Sequence, residues 1–218
     1  VLYVNEKLYL QRRNYMSRLD IVKKLFDAFV NRSIAYSLNI GIGLMSFSDT
    51  SKVECEMTPF YESFRNKKDD LKPSGGTALL ESLNKAADKL VKWRDADKDK
   101  RGNSKLRIIC LTDGKDTSSK SMSQYDIRRL LRQNNIILDC IVIGNEYDSY
   151  MSLISGSTDG YFFNPSSIKR AFDIMELETI ITSKNRDKVV SGYIKEGQLP
   201  PMLQPKNSLS RKSLNITK

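Results

Sequence analysis

The sequence predicts an α/β fold: a Rossmann-like three-layer sandwich with helices on both faces of an open, mostly parallel sheet that has one antiparallel edge strand. Three observations predict it. Segments of helical and strand period alternate along most of the 218 residues. Two near-continuous apolar runs, Leu106–Leu111 and Ile136–Ile143, read as parallel strands covered on both faces. One pair of alternating segments reads as an antiparallel hairpin.

Taken in order, Ser17–Val30 has helical spacing, with Leu19, Val22, Leu25, Phe26 and Phe29 on one face. Leu38–Phe47 alternates as a strand, Ser48-Asp49-Thr50 turns, and Val53, Cys55 and Met57 alternate with Lys52, Glu54 and Glu56. The charged outer face of that second strand suits a sheet edge. Phe60–Gly76 reads as a loop, followed by an amphipathic helix with Leu79, Leu80, Leu83, Ala87, Leu90 and Val91 inward. Asp95–Ser104 is a polar connector into Leu106–Leu111. Gln124–Arg132 is helical, Ile136–Ile143 a strand, Tyr147–Ile154 a short helix, Tyr161–Phe163 a last strand and Ser167–Ile181 a closing helix. Residues 1–183 then form the domain, and 184–218 a basic, Pro- and Ser-containing tail or linker.

Composition excludes several classes of function. The apolar content of 39% and charged content of 28% are those of a globular protein, and no apolar run approaches the roughly 18 residues of a membrane span. Cys55, Cys110 and Cys140 are sparse, odd in number and without CxxC spacing, which argues for reduced thiols in an intracellular, cytoplasmic setting. The chain has no histidine, which removes His-based acid–base chemistry, Ser-His-Asp and Cys-His nucleophiles and His metal sites. It has no GxxxxGK[ST], and Gly41-Ile42-Gly43 lacks the third glycine of a dinucleotide loop. The reading is a binding module rather than an enzyme. Of the net charge of +10, much sits after Thr182, where eight Lys/Arg residues stand against Asp187 and Glu196. Such a tail could attract nucleic acid or an anionic surface; a solvated tail is the simpler account, and nucleic acid is not the expected partner.

Ligands of open α/β sheets bind at the carboxyl ends of the strands. Two segments fall there: the loop Ser74-Gly75-Gly76-Thr77-Ala78-Leu79, and the strand end Cys110-Leu111-Thr112-Asp113-Gly114. Read locally, Thr77 is the N-cap of a helix starting at Ala78, and Asp113 a turn residue. With the order of elements around them, these segments resemble the von Willebrand factor A (integrin I-like) family over about residues 17–183.

That resemblance implies a metal-ion-dependent adhesion site built from an Asp-x-Ser-x-Ser loop, a Thr and an Asp, with Thr77 and Asp113 matching the last two. A hydroxyl and a carboxylate are hard oxygen ligands suited to Mg²⁺ or Mn²⁺. The resemblance also implies a protein partner, engaged through an acidic residue, and a role as an intracellular recruitment or scaffold domain, often beside ubiquitin-related or transport machinery. The first loop departs from the pattern. Gln11, Arg13 and Tyr15, or else Asn5, Lys7 and Tyr9, stand where Asp, Ser and Ser belong, or the motif precedes Val1. A site that has lost its metal is the alternative, leaving a metal-independent scaffold.

Overall fold

The computed structural model describes residues 16–144, 147–180 and 193–194. The alternative first-loop positions Asn5, Lys7, Tyr9, Gln11, Arg13 and Tyr15 lie outside the described residues, as does the basic tail apart from Tyr193 and Ile194.

Helix α1 (Arg18–Ala35) starts at Ser17, whose hydroxyl accepts from the Asp20 amide while the Asp20 carboxylate accepts from the Ser17 amide. It ends where Ser37 adopts a φ of 50° and the Leu38 amide donates to the Ser33 carbonyl at 2.9 Å. Leu38 is engaged in closing that helix, so the strand predicted from Leu38 begins only at Ile42. Strand β1 (Ile42–Phe47) pairs antiparallel with β2 (Ser51–Thr58), as the hairpin pattern predicts.

The predicted loop Phe60–Gly76 contains a helix, α2 (Tyr61–Asp69). Its buried residues are Phe64 and Lys68, so no apolar period betrays it. Phe64 meets Phe26 of α1 edge-on with ring centroids 5.7 Å apart, and the buried Lys68 ammonium sits 2.5 Å from Asp27. After α3 (Leu79–Asp95), the polar connector holds one helical turn, α4 (Lys98–Arg101), capped by Asp97 and pinned by Arg101 lying 4.6 Å over the Trp93 ring.

Strand β3 (Leu106–Thr112), helix α5 (Gln124–Gln133) and strand β4 (Ile136–Val142) follow close to expectation. Helix α6 (Tyr150–Ser157) starts later than predicted, because Tyr147 instead turns its ring onto Phe162 at 5.2 Å. Strand β5 (Phe162–Phe163), helix α7 (Ile168–Ile180) and the short β6 (Tyr193–Ile194) complete the described elements.

Strands β3, β4, β5 and β6 are parallel neighbours in that order, and β1–β2 forms a separate antiparallel pair. Alternate residues of the parallel sheet feed two cores. Leu111, Ile141 and Phe163 pack with Leu25, Phe29, Ile174 and Met175 of α1 and α7. Cys110, Cys140, Val142 and Phe162 pack with Leu83, Ile127, Met151 and Ile154 of α3, α5 and α6. The sheet is thus sandwiched between two helical layers, which is the three-layer architecture the apolar runs predict. Among the described residues, no helix is long and apolar enough to cross a membrane.

Candidate functional site

The loops at the carboxyl ends of β1 and β3 meet over the amino end of α3. The Ser48 carbonyl, just beyond β1, accepts from the Ala78 amide at 2.6 Å. Gly75 has a φ of +62°, and a side chain on it or on Gly76 would collide with the Asp49 carboxylate, so only glycines let the two loops approach. Asp49 also accepts from the Ser118 hydroxyl at 2.9 Å. The Gly76 amide and that hydroxyl hold the exposed Asp49 carboxyl below the usual carboxylate range.

Thr77 is buried, but it does not cap α3. The N-cap position is Ala78, which has no capping side chain. The orphan amide of Leu80 is satisfied instead by Asp116 Oδ2 at 3.1 Å and Ser119 Oγ at 3.0 Å, from the loop after β3. Thr77 works through its backbone: its amide donates to Thr117 Oγ1 at 3.0 Å, and its carbonyl accepts from the Thr117 and Ser118 amides. The Thr77 and Asp113 loops are therefore stitched into one rim. Asp148 extends it, accepting from the Asp116 amide at 2.7 Å and from the Tyr150 hydroxyl at 3.0 Å. Burial, and then the Asp148 charge, push the Tyr150 phenol far above its ordinary range, so it stays a donor.

Glu81, in the first turn of α3, clamps the far end of the same loop. It accepts from the Lys120 amide at 2.6 Å, the Ser121 amide at 2.8 Å and the Ser121 hydroxyl at 3.1 Å. Burial alone would raise its pKa, but hydrogen bonds from Ser119, Ser121 and Lys120 outweigh it and bring the carboxyl down to about 2. Glu81→Ala is expected to cost roughly 1.5–3 kcal/mol at neutral pH, the range for hydrogen bonds to a charged group. Because the folded pKa is depressed from 4.5, the carboxylate's contribution is present above about pH 4.5 and fades toward pH 2. Urea unfolding at pH 6 and at pH 2.5 should show the difference between wild type and variant shrinking with acid.

Asp113 lies just past β3 with its side chain 6% exposed, and Arg18 of α1, 44% exposed, places Nη1 2.9 Å from Asp113 Oδ2. Burial raises the Asp113 carboxyl, against the pull of Arg18. Thr77 and Asp113 thus sit on loops that are hydrogen-bonded to each other, and the Asp113 carboxylate already has a cation on it. The sequence reading missed Arg18 altogether. It also read Asp49 only as a turn residue and did not single out Asp116, Ser118 or Ser119. The run Asp116-Thr117-Ser118-Ser119, dense in capping residues but ahead of no helix of its own, is the signal that could have exposed the shared cap.

A family model described as the von Willebrand factor type A domain matches residues 11–178. The chain belongs to that family. Domains of this type are protein-interaction modules. Among solved structures, a von Willebrand factor type A protein from Catenulispora acidiphila is 17% identical, with a TM-score of 0.57 over 74% of this chain and 38% of that one. Proximal thread matrix protein 1 from the mussel byssus, with a zinc-occupied MIDAS motif, is 19% identical, with a TM-score of 0.55 over 73% of this chain and 40% of that one. At these identities the likeness concerns the fold.

A curated relative from Acanthamoeba polyphaga mimivirus, named "Probable bifunctional E2/E3 enzyme R795", is 51% identical over 93% of this chain. The chain spans 16% of that relative's length. This overturns the expectation of a protein that is not an enzyme. The missing histidine constrains only these 218 residues, and a von Willebrand A domain is compatible with enzymatic chemistry elsewhere on the same polypeptide.

The described residues do not by themselves fit a resident divalent cation. No group of three or more His, Cys, Asp or Glu residues among them could hold a metal. Of the matching pair, Thr77 offers one hydroxyl, and the Asp113 carboxylate bears the Arg18 guanidinium. A divalent ion there would be repelled by Arg18 or would have to displace it.

Proposed function

We propose that this von Willebrand A domain is the protein-docking part of an enzyme of the E2/E3 type inside the cell, and that it takes an acidic residue of its partner at the rim of Thr77, Asp113 and Arg18. The observation that carries this reading is the Arg18–Asp113 pair set at the carboxyl ends of the strands. Asp113 holds a guanidinium whose side chain is 44% exposed, and such a fork suits a carboxylate. The 51% identical relative supports the enzymatic setting. The free thiols Cys55, Cys110 and Cys140 support a reducing compartment.

A second reading keeps the adhesion-site metal: Thr77 and Asp113 hold Mg²⁺ or Mn²⁺, and the ion takes the partner's carboxylate. It is favoured by the match of both residues to the family's ligands and by the zinc-occupied motif in the mussel protein. An NMR titration with a short glutamate-bearing peptide separates the two. Under the first reading, the amides of Thr77 and Gly114 and the Arg18 side chain shift equally with and without EDTA, and Arg18→Glu weakens binding at least tenfold. Shifts that require added Mg²⁺ or Mn²⁺ support the second. Shifts confined to other surfaces reject both.

A further inference from the structure

Helix α5 turns two unlike faces to its surroundings. Ile127 and Leu131 are 0% exposed and anchor it on the core shared with α3 and α6. The other side carries Tyr125, Arg128, Arg129 and Arg132, whose helical spacing puts them on one stripe. All four are exposed, Tyr125 at 73%. Arg129 reaches back to Asp126 at 3.2 Å yet keeps 69% of its side chain exposed. Arg128 and Arg132 make no ion pair with any described residue. They stand one turn apart, a relation in which like charges weaken a helix. The helix dipole favours Arg132 in the last turn, but not Arg128 and Arg129 in the middle. Neighbouring helices do not neutralise the stripe: α6 carries no charged residue, and Asp88 of α3 is engaged by Lys92 at 2.8 Å. Positive charge is therefore gathered here without an internal counterpart.

The make-up of the surface points to one kind of occupant. Lysine outnumbers arginine in the chain, yet the stripe holds arginine alone. The guanidinium fork takes a carboxylate through two parallel hydrogen bonds, and protein interfaces are enriched in arginine and tyrosine and depleted in lysine. Helix α6 packs beside α5 and exposes Leu153 at 58%. A nucleic-acid backbone would meet cations on one helix and an uncharged, leucine-bearing surface on the next. An acidic amphipathic segment suits both. The spacing sets its form: positions one helical turn apart lie about 5–6 Å from each other, so Arg128 and Arg132 match two glutamates one turn apart on a partner helix. We propose that α5 and α6 form a second docking surface, for an acidic amphipathic helix of a protein partner. Its glutamates pair with Arg128 and Arg132, and its apolar residues cover Tyr125 and Leu153. This surface belongs to the helical layer opposite α1, which carries Arg18, so it is separate from the Thr77–Asp113 rim.

The test is a titration of the full chain with a synthetic helical peptide bearing glutamates one turn apart beside a leucine stripe. Its glutamine counterpart and a single-stranded oligothymidylate serve as the competing probes. Binding of the glutamate peptide is expected to shift the Arg128 and Arg132 guanidinium signals and the Leu153 methyls, and to weaken as salt is raised. Arg128→Glu with Arg132→Glu should weaken it by about tenfold or more, with an unchanged thermal transition because both side chains are exposed. Leu153→Ser, on the other helix, should also weaken it, whereas Arg18→Glu should leave it unchanged. That last variant keeps failure of this surface distinguishable from failure of the rim. Absence of binding, equal binding of the glutamine peptide, tighter binding of the oligothymidylate, or unchanged affinity in the double arginine variant overturns the proposal.

Discussion

Arg107→Met is expected to be among the most destabilising single substitutions in this domain, at a cost of roughly 3–5 kcal/mol. Arg107 of β3 places Nε 2.5 Å from Asp139 Oδ2 of β4, donates to the Glu178 carbonyl at 2.7 Å and pairs with the Glu178 carboxylate of α7. Both acidic side chains are fully buried, and Arg107 is 20% exposed. Asp139 also accepts from the Tyr161 amide at 2.7 Å, so these three side chains tie β3, β4, the approach to β5 and α7 together. Methionine would fill most of the volume but leave two buried carboxylates without their cation. The cost comes from those uncompensated buried charges more than from lost attraction, so a second substitution should relieve it. Arg107→Met with Glu178→Gln should recover a third or more of the loss in denaturant unfolding. A single-variant cost below about 1 kcal/mol would mean that water, not Arg107, carries these charges.

The same network shows where sequence patterns fall short. Leu106–Leu111 is legible as a covered strand because its apolar residues point to two cores, and the run stays recognisable despite Arg107. Nothing in the spacing pairs Arg107 with residues 32 and 71 positions away. Helix α2 was invisible for a related reason: its inward face is held by a lysine on Asp27, and periodicity detects only apolar anchors. Segments whose burial follows a clean period of two or of 3.6 residues came through with shifts of a few residues at their ends. Those shifts trace to local hydrogen bonding, as at Leu38, which closes α1 rather than opening β1.

At the site, the two positions chosen from motifs lie on one rim, but their local roles differ from those that propensity suggests. Thr77 looked like a cap because threonine before an amphipathic run usually is one. Here the cap comes from Asp116 and Ser119, and the threonine is left to bind the loop that carries them. Arg18 was unreadable because its partner lies 95 residues away and its own neighbours describe only a helix start.

Gly75→Val should abolish docking while leaving the fold largely intact, and it is the second large effect expected. At a φ of +62° a β-branched residue is strained, at a cost on the order of 1–3 kcal/mol. Its Cβ would also occupy the space of the Asp49 carboxylate and crowd Ser48 at 3.2 Å. The loop can relieve both only by withdrawing from the β1–β2 turn. That breaks the Ala78–Ser48 bond and the Asp49–Ser118 bond, and it frees the Thr77 segment from the 117–118 amides it organises. The core beneath, built on Leu79, Leu83 and Leu111, does not depend on those contacts. Gly114 supplies the control: on the same rim, a side chain there would meet nothing within 4 Å. In the glutamate-peptide titration, Gly114→Ala should bind within about twofold of wild type, while Gly75→Val shows no saturable shift yet keeps a cooperative thermal transition. Loss of binding in Gly114→Ala, with Gly75→Val unaffected, would move the docking surface away from the α3 entrance and onto the Asp113 turn alone.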